Sequence, residues 1–151
     1  MADATLFDKI VDGTIPSFKV WEDDAHMAFL TLWPNTPGFT VVVPKKNPGG
    51  NFIEADDAAY TALLLAAKKV AALLKKAFGL SRVGLVIEGE GVPHLHVKLI
   101  PMHGLSAGTG SHANHAEFYK TYPGYLTTIE GPRMSDEELK DIQQKIIEAS
   151  K

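Results

Sequence analysis

Between residues 94 and 100 the chain reads His-Leu-His-Val-Lys-Leu-Ile, with polar and apolar residues alternating as far as Leu99. Consecutive side chains of an extended strand project to opposite faces, so His94, His96 and Lys98 share one face and Leu95, Val97 and Leu99 the other. Three basic or titratable groups on a packed face are costly to desolvate without partners, so that face is expected to border a cleft or to meet an anion such as phosphate. A neutral imidazole, with an unperturbed pKa of about 6.5, is both a competent nucleophile and a good leaving group, which suits a two-step transfer through a phospho-histidine. One ring nitrogen must then donate its hydrogen to a fixed acceptor, commonly a backbone carbonyl, so that the other keeps its lone pair. An ammonium at Lys98 would lower the pKa of His96 and stabilise charge developing on phosphate oxygens, and the turn Glu88-Gly-Glu-Gly91 offers backbone donors. Two other readings use the same residues. A His-x-His pair can be purely structural, and His94, His96 and His103 can supply three nitrogens to zinc, although no acid or cysteine completes that set at a recognisable spacing.

The elements that must position these residues are readable in the pattern. Leu6, Phe7, Ile10 and Val11 form one helical stripe stopped by Gly13, which predicts a short N-terminal helix. Phe18–Trp21 and Met27–Leu30, joined by Glu22-Asp-Asp24, predict a hairpin, and Phe39–Val43 a third, buried strand bounded by Pro37-Gly38 and Pro44. Residues 54–78 predict the long helix, with Asp56 and Asp57 at its start, a stripe of Tyr60, Leu64, Ala67, Ala71, Leu74 and Phe78, and Gly79 at its end. Its Lys68, Lys69, Lys75 and Lys76 are expected on a solvated face. Arg82–Ile87 and His94–Ile100 predict the fourth and fifth strands. Residues 103–117 carry three histidines without periodicity and predict a long loop, suggestive of a flap. Tyr125–Ile129 suggests a further strand, and Ser135-Asp-Glu-Glu138 caps a terminal helix bearing Leu139, Ile142, Ile146 and Ile147.

At 151 residues, 45% hydrophobic and 22% charged, the chain has the size and composition of one globular domain. A net charge of −3 without a basic run argues against duplex nucleic acid as a partner. The absence of cysteine excludes disulfides and thiolate metal sites. The first residues, Met1-Ala-Asp-Ala-Thr-Leu-Phe-Asp8, lack the cationic and apolar regions of a signal peptide, which leads us to expect a cytoplasmic protein without membrane association.

Pro93-His-Leu-His-Val-Lys-Leu-Ile-Pro101 resembles the signature of the histidine triad family, three histidines alternating with apolar residues ahead of a proline. Leu6–Pro16, Val20–Asp24, Ala28–Leu30, Pro34–Gly38 and Val41–Lys46 resemble the same family in order and spacing. The resemblance covers about residues 5–102, and residues 103–151 form a C-terminal extension of loop, strand and helix expected to pack on the same domain. It implies an α+β fold with a five-stranded antiparallel sheet, one long helix, a short N-terminal helix and a C-terminal helix, assembled as a homodimer. It implies hydrolysis or transfer at the α-phosphorus of a nucleotide ester or phosphoramidate, through a nucleotidyl-histidine and without a cofactor. The nucleophile is then His96, with His94 supporting its orientation.

The substrate-contacting residues implied by the family are Ile10, Phe18, Phe29 and Leu32, which otherwise read as core. Gly91 and Val92 of the Gly-rich turn join them, as does His103 just beyond the strand, which otherwise reads as a surface histidine. Several positions depart from the family pattern. Lys98 stands at the third histidine, and lysine binds phosphate but titrates far higher. Glu90 stands where a leaving-group hydroxyl is usual nearby, which makes it a replacement acid. Thr31 lies at the acid that normally binds the ribose diol, and Phe39 at a histidine. Thr5 and Asp8 correspond to the cysteines that bind zinc in some bacterial members, so no such metal site is expected. These departures keep a second class open: a nucleotide-binding module, sensor or partner-binding dimer, in which catalysis is impaired.

Overall fold

The computed structural model describes residues 3–104, 118, 120–121 and 130–151. Eight elements follow in order: α1 (Leu6–Val11), β1 (Lys19–Glu22), β2 (His26–Leu30), β3 (Thr40–Pro44), α2 (Asp57–Phe78), β4 (Val83–Val86), β5 (Val97–Pro101) and α3 (Asp136–Ala149). The strands form one antiparallel five-stranded sheet in the order β1-β2-β3-β5-β4, the α+β architecture expected from the sequence. Tyr125–Ile129, the suggested extra strand, falls outside the described residues, as does residues 105–117 of the expected loop.

The sheet is covered on both sides, which is why β2 and β3 are near-continuous apolar runs and are buried at every position. Ala28, Leu30, Val42, Val97 and Leu99 face the principal core beneath α2 and α3. Met27, Phe29, Val41 and Val43 face the other side, where Phe7 of α1 joins them. In β5 Val97 and Leu99 are completely buried, and Leu95 just ahead of it as well; each contributes about 2 kcal/mol by leaving water. That apolar row pins the segment and leaves the polar row of Lys98 and its neighbours to the opposite face.

Helix α2 begins after the N-cap Asp56, whose carboxylate accepts the Ala59 N–H, and ends at Gly79 in the left-handed conformation. Its buried stripe is Leu63, Ala66, Ala67, Val70 and Leu74: Ala67 and Leu74 are as expected, Leu63 and Val70 are buried in place of the neighbouring Leu64 and Ala71, and Ala71 and Phe78 pack half-buried against the core. The run Leu63-Leu-Leu65 leaves the phase of the stripe ambiguous in the sequence, and of the three Leu63 is the one fully buried. Lys68, Lys69, Lys75 and Lys76 are exposed, as the charge pattern predicts. Helix α3 starts with the Ser135/Glu138 capping box and sends Leu139 and Ile146 into the same core, while Gln143 Nε2 donates to the Lys19 carbonyl at the β1 edge. Gly38 has φ +83°, and a Cβ there would lie 2.6 Å from the Phe78 ring, so the β2–β3 link requires glycine on two counts.

The fifth strand starts three residues later than the alternation suggests. His94 N–H donates to the Val92 carbonyl in a tight turn, and the His94 carbonyl is taken by the His96 ring, so neither group of His94 enters the ladder. Both histidines therefore sit in irregular backbone just ahead of β5.

Candidate active site

A cavity of about 680 Å³, within the usual range for small-ligand sites, opens on the sheet face opposite α2. Val41 of β3 is paired with Phe29 of β2 on one side and with Lys98 of β5 on the other, which sets these three side chains in one row across the cavity floor. Thr31 N–H donates to the Phe39 carbonyl in the next row, and both residues line the floor. Leu6, Phe7 and Ile10 of α1 form an apolar wall. The Gly-rich turn supplies Glu88, Glu90, Gly91 and Val92 opposite it.

His96 is only 3% exposed and lines this cavity. Its Nδ1 lies 2.7 Å from the His94 carbonyl oxygen. A carbonyl can only accept, so Nδ1 carries the hydrogen and Nε2 is left with the lone pair. The Phe7 ring packs edge-on against the imidazole, with centroids 5.1 Å apart. Burial holds the His96 pKa below the ordinary imidazole value, with Lys98 and His94 adding to that and the His94 carbonyl and Glu88 opposing it. The expected effect of Lys98 is therefore present but secondary to desolvation. A depressed pKa keeps the ring neutral down to lower pH, so the rate of any reaction that needs its free Nε2 should be flat through neutrality and fall on an acid limb below about 6.5. A pH–rate profile with that limb at or above the ordinary value would contradict a buried, neutral imidazole. By linkage the unfolded chain binds the extra proton, so this residue makes stability decline as pH drops through the unfolded pKa.

His94 is completely buried and does not line the cavity. Its Nε2 donates to the Pro44 carbonyl at 2.7 Å, while Nδ1 lies 3.2 Å from Thr5 Oγ1 and 3.4 Å from an Asp8 carboxylate oxygen. Thr5 and Asp8 are the N-cap and third residue of α1 and form a reciprocal capping box. The Asp8 carboxyl is held below its usual pKa chiefly by the Thr5 hydroxyl, against some desolvation and with help from the Thr5 N–H and His94. His94 thus ties α1 to the end of β3 through its ring and orients His96 through its carbonyl.

Lys98 pairs with the Glu88 carboxylate, both side chains being largely buried. Glu90 is exposed at the cavity lip. Among the other expected residues, Ile10, Phe29, Thr31, Leu32, Gly91 and Val92 line the cavity. Two do not. Phe18 packs on the core beneath the helices with Val20, because residues two apart in a strand share a face and Val20 is committed to that core. His103 donates through Nε2 to the Pro37 carbonyl and stacks edge-on against Phe78, centroids 5.2 Å apart, which turns it away from the site. The three-histidine zinc reading fails on the same geometry, since the rings of His94 and His103 are committed to different backbone carbonyls on different parts of the fold. Among the described residues no group of three His, Cys, Asp or Glu side chains is placed to hold a metal ion.

Sequence reasoning missed Glu88 as the partner of Lys98, and also Phe7, Val41 and Trp33 in the lining. Strand alternation carried through from Phe29 and Lys98 would have found Val41. Glu130 also lines the cavity and had no local signal.

The model of the HIT domain matches residues 12–105. The chain is 35% identical to Protein hit of Bacillus subtilis over 79% of this chain and 86% of that protein. It is 30% identical to the adenosine 5'-monophosphoramidase HNT1 of Saccharomyces cerevisiae over 78% of this chain and 75% of that one. A Hit-like protein of Bartonella henselae, described as involved in cell-cycle regulation, has a crystal structure that superposes with a TM-score of 0.71 at 29% identity, covering 99% of both chains. A buried His-x-His lies ahead of β5 of the five-stranded antiparallel sheet, and its second member, His96, lines the cavity. The chain belongs to the HIT family.

Proposed function

We propose that the protein hydrolyses, or transfers the nucleotidyl group of, nucleotide phosphoesters and phosphoramidates at the α-phosphorus. The observation that carries this reading is the hydrogen bond from His96 Nδ1 to the His94 carbonyl, which leaves Nε2 unprotonated at the cavity. Nε2 attacks phosphorus and a P–N bond to His96 forms. The bond from phosphorus to the leaving oxygen or nitrogen breaks, and its electron pair departs with the leaving group, which takes up a proton. Water then attacks the nucleotidyl-histidine, the P–N bond breaks, and a nucleoside monophosphate is released with neutral His96 restored. Lys98, held in place by Glu88, faces the negative charge that grows on the non-bridging oxygens. The relationship to a yeast monophosphoramidase supports this substrate class.

Glu90 is the group in the turn suited to protonate the departing atom. Glu90→Gln should slow a substrate with a basic amine or alkoxide leaving group by roughly 10²-fold and leave one with an activated phenolate within about threefold. Equal slowing of both in steady-state assays would remove that role.

The Lys98–Glu88 pair favours one alternative, a nucleotide-binding module with impaired catalysis, because the cation at the third triad position is already neutralised. Such a module would bind nucleotide with no turnover sensitive to His96. We also propose a homodimer, supported by β4 at the sheet edge with Leu85 45% exposed and by Leu65 of α2 57% exposed. A cytoplasmic location fits a nucleotide substrate; no helix among the described residues is long and apolar enough to cross a membrane.

A further inference from the structure

The His96 ring is held by the His94 carbonyl, so whatever fixes that carbonyl fixes the nucleophile. The peptide group just ahead of it, joining Pro93 to His94, is bonded at both ends. Its N–H donates to the Val92 carbonyl at 2.8 Å, and its carbonyl, that of Pro93, accepts from Asn47 Nδ2 at 3.0 Å. Proline brings a fixed φ, so with both bonds in place the chain entering His94 has little freedom left. Asn47 is itself locked, because its Oδ1 accepts the Gly49 N–H at 2.9 Å. The Pro93 carbonyl can only accept and the Gly49 N–H can only donate, which settles the orientation of the amide between them.

The same short piece of the β3–α2 link touches both sides of the site. A Cβ on Gly50 would stand 2.9 Å from Pro93 Cα, so the link lies directly against the residue that precedes His94. A Cβ on Gly89 would stand 3.0 Å from the Gly50 carbonyl oxygen, so the link also backs the turn that carries Glu88 and Glu90. On a third side Asn47 is close to α1: the Asp8 carboxyl, lowered chiefly by the Thr5 hydroxyl, is lowered further by the Asn47 amide. Asn47 does not line the cavity, so any effect it has on the chemistry passes through these neighbours.

We propose that Asn47 is a positioning residue for the reaction at His96: its amide holds the Pro93 carbonyl and, through the Pro93–His94 peptide, aims the His94 carbonyl that keeps the hydrogen on His96 Nδ1. This rests on the reading of His96 as nucleophile given above. The test compares wild type with Asn47→Ala, which removes both bonds of the amide, and Asn47→Asp, a near-isostere that can still accept from Gly49 but cannot donate to Pro93 at neutral pH. Two readouts are taken: kcat and KM for adenosine 5'-phosphoramidate, and the tautomer of His96 from the ¹⁵N shifts of its ring. Both variants should lower kcat by about tenfold or more with KM within about threefold, since misplacing an attacking atom by about 1 Å can cost about 10²-fold. In both, a second His96 tautomer with its hydrogen on Nε2 should appear, whereas wild type shows hydrogen on Nδ1 alone. A lowered melting temperature with kcat within about twofold and an unchanged tautomer would make Asn47 a loop cap only and overturn the proposal. Wild-type kcat in Asn47→Asp would overturn it as well, because the bond to Pro93 would then carry nothing. If wild type does not turn over the phosphoramidate, the nucleotide reading fails, and the tautomer spectra alone decide: a mixture in both variants supports the positioning role, and an unchanged ring overturns it.

Discussion

Replacing His96 with alanine is expected to lower turnover of adenosine phosphoramidate by at least about a thousandfold while changing nucleotide affinity by no more than about threefold. Loss of a nucleophile removes an interaction that exists only along the reaction path, so kcat and kcat/KM fall together. The imidazole is enclosed by Phe7 and bonded to the His94 carbonyl, so the variant also leaves a small cavity and an acceptor without its donor. Nucleotide binding by the variant therefore serves as the check that the site is still formed. Steady-state release of adenosine monophosphate measures the effect, and retention of more than about a tenth of wild-type turnover would show that another group attacks phosphorus.

The second large effect belongs to His94, and it differs in kind. His94→Ala empties a completely buried site and strips the Pro44 carbonyl of its donor and Thr5 of its partner. Cavity and hydrogen-bond losses of this sort cost about 3 kcal/mol together, which corresponds to roughly 6–12 °C in Tm for a chain of this length. Because the lost ring also braces α1, whose Leu6, Phe7 and Ile10 form a wall of the cavity, activity should fall too, through kcat more than KM. Thermal unfolding and steady-state kinetics separate the two effects. A melting temperature within about 2 °C of wild type would show that the ring does not tie α1 to β3.

These two histidines mark how far the sequence could be read. The alternation from His94 to Leu99 correctly separated Leu95, Val97 and Leu99, all in the core, from the face that carries His96 and Lys98. It also placed His94 on the working face. Alternation is a property of regular strand, and the backbone at His94 is irregular because its carbonyl serves the His96 ring. Where the His94 ring goes is decided by Thr5 and Asp8, 89 and 86 positions earlier, through a helix cap that is itself legible in the sequence while its third partner is not. The same distinction holds elsewhere. The caps at Asp56 and Ser135 and the β-branched run of β3 are local and were readable, whereas which of the consecutive Leu63, Leu64 and Leu65 is buried depends on the sheet that α2 packs against. Phe18 was misplaced although its period-2 relation to Val20 was visible, since which face Val20 takes depends on the helices that cover it. Glu88 pairs with Lys98 and Glu130 enters the cavity from the segment ahead of α3, contacts that no spacing rule encodes.

The most direct test is intact-protein mass spectrometry after millisecond mixing with adenosine phosphoramidate and an alkaline quench, which preserves a P–N bond to histidine. Wild type should carry the mass of one adenylyl group at early times and the His96→Gly variant none, since Nε2 of His96 is the atom left unprotonated at the cavity. An adduct of equal yield on the variant, or turnover by wild type with no adduct at any quench time, would contradict a nucleotidyl-His96 intermediate.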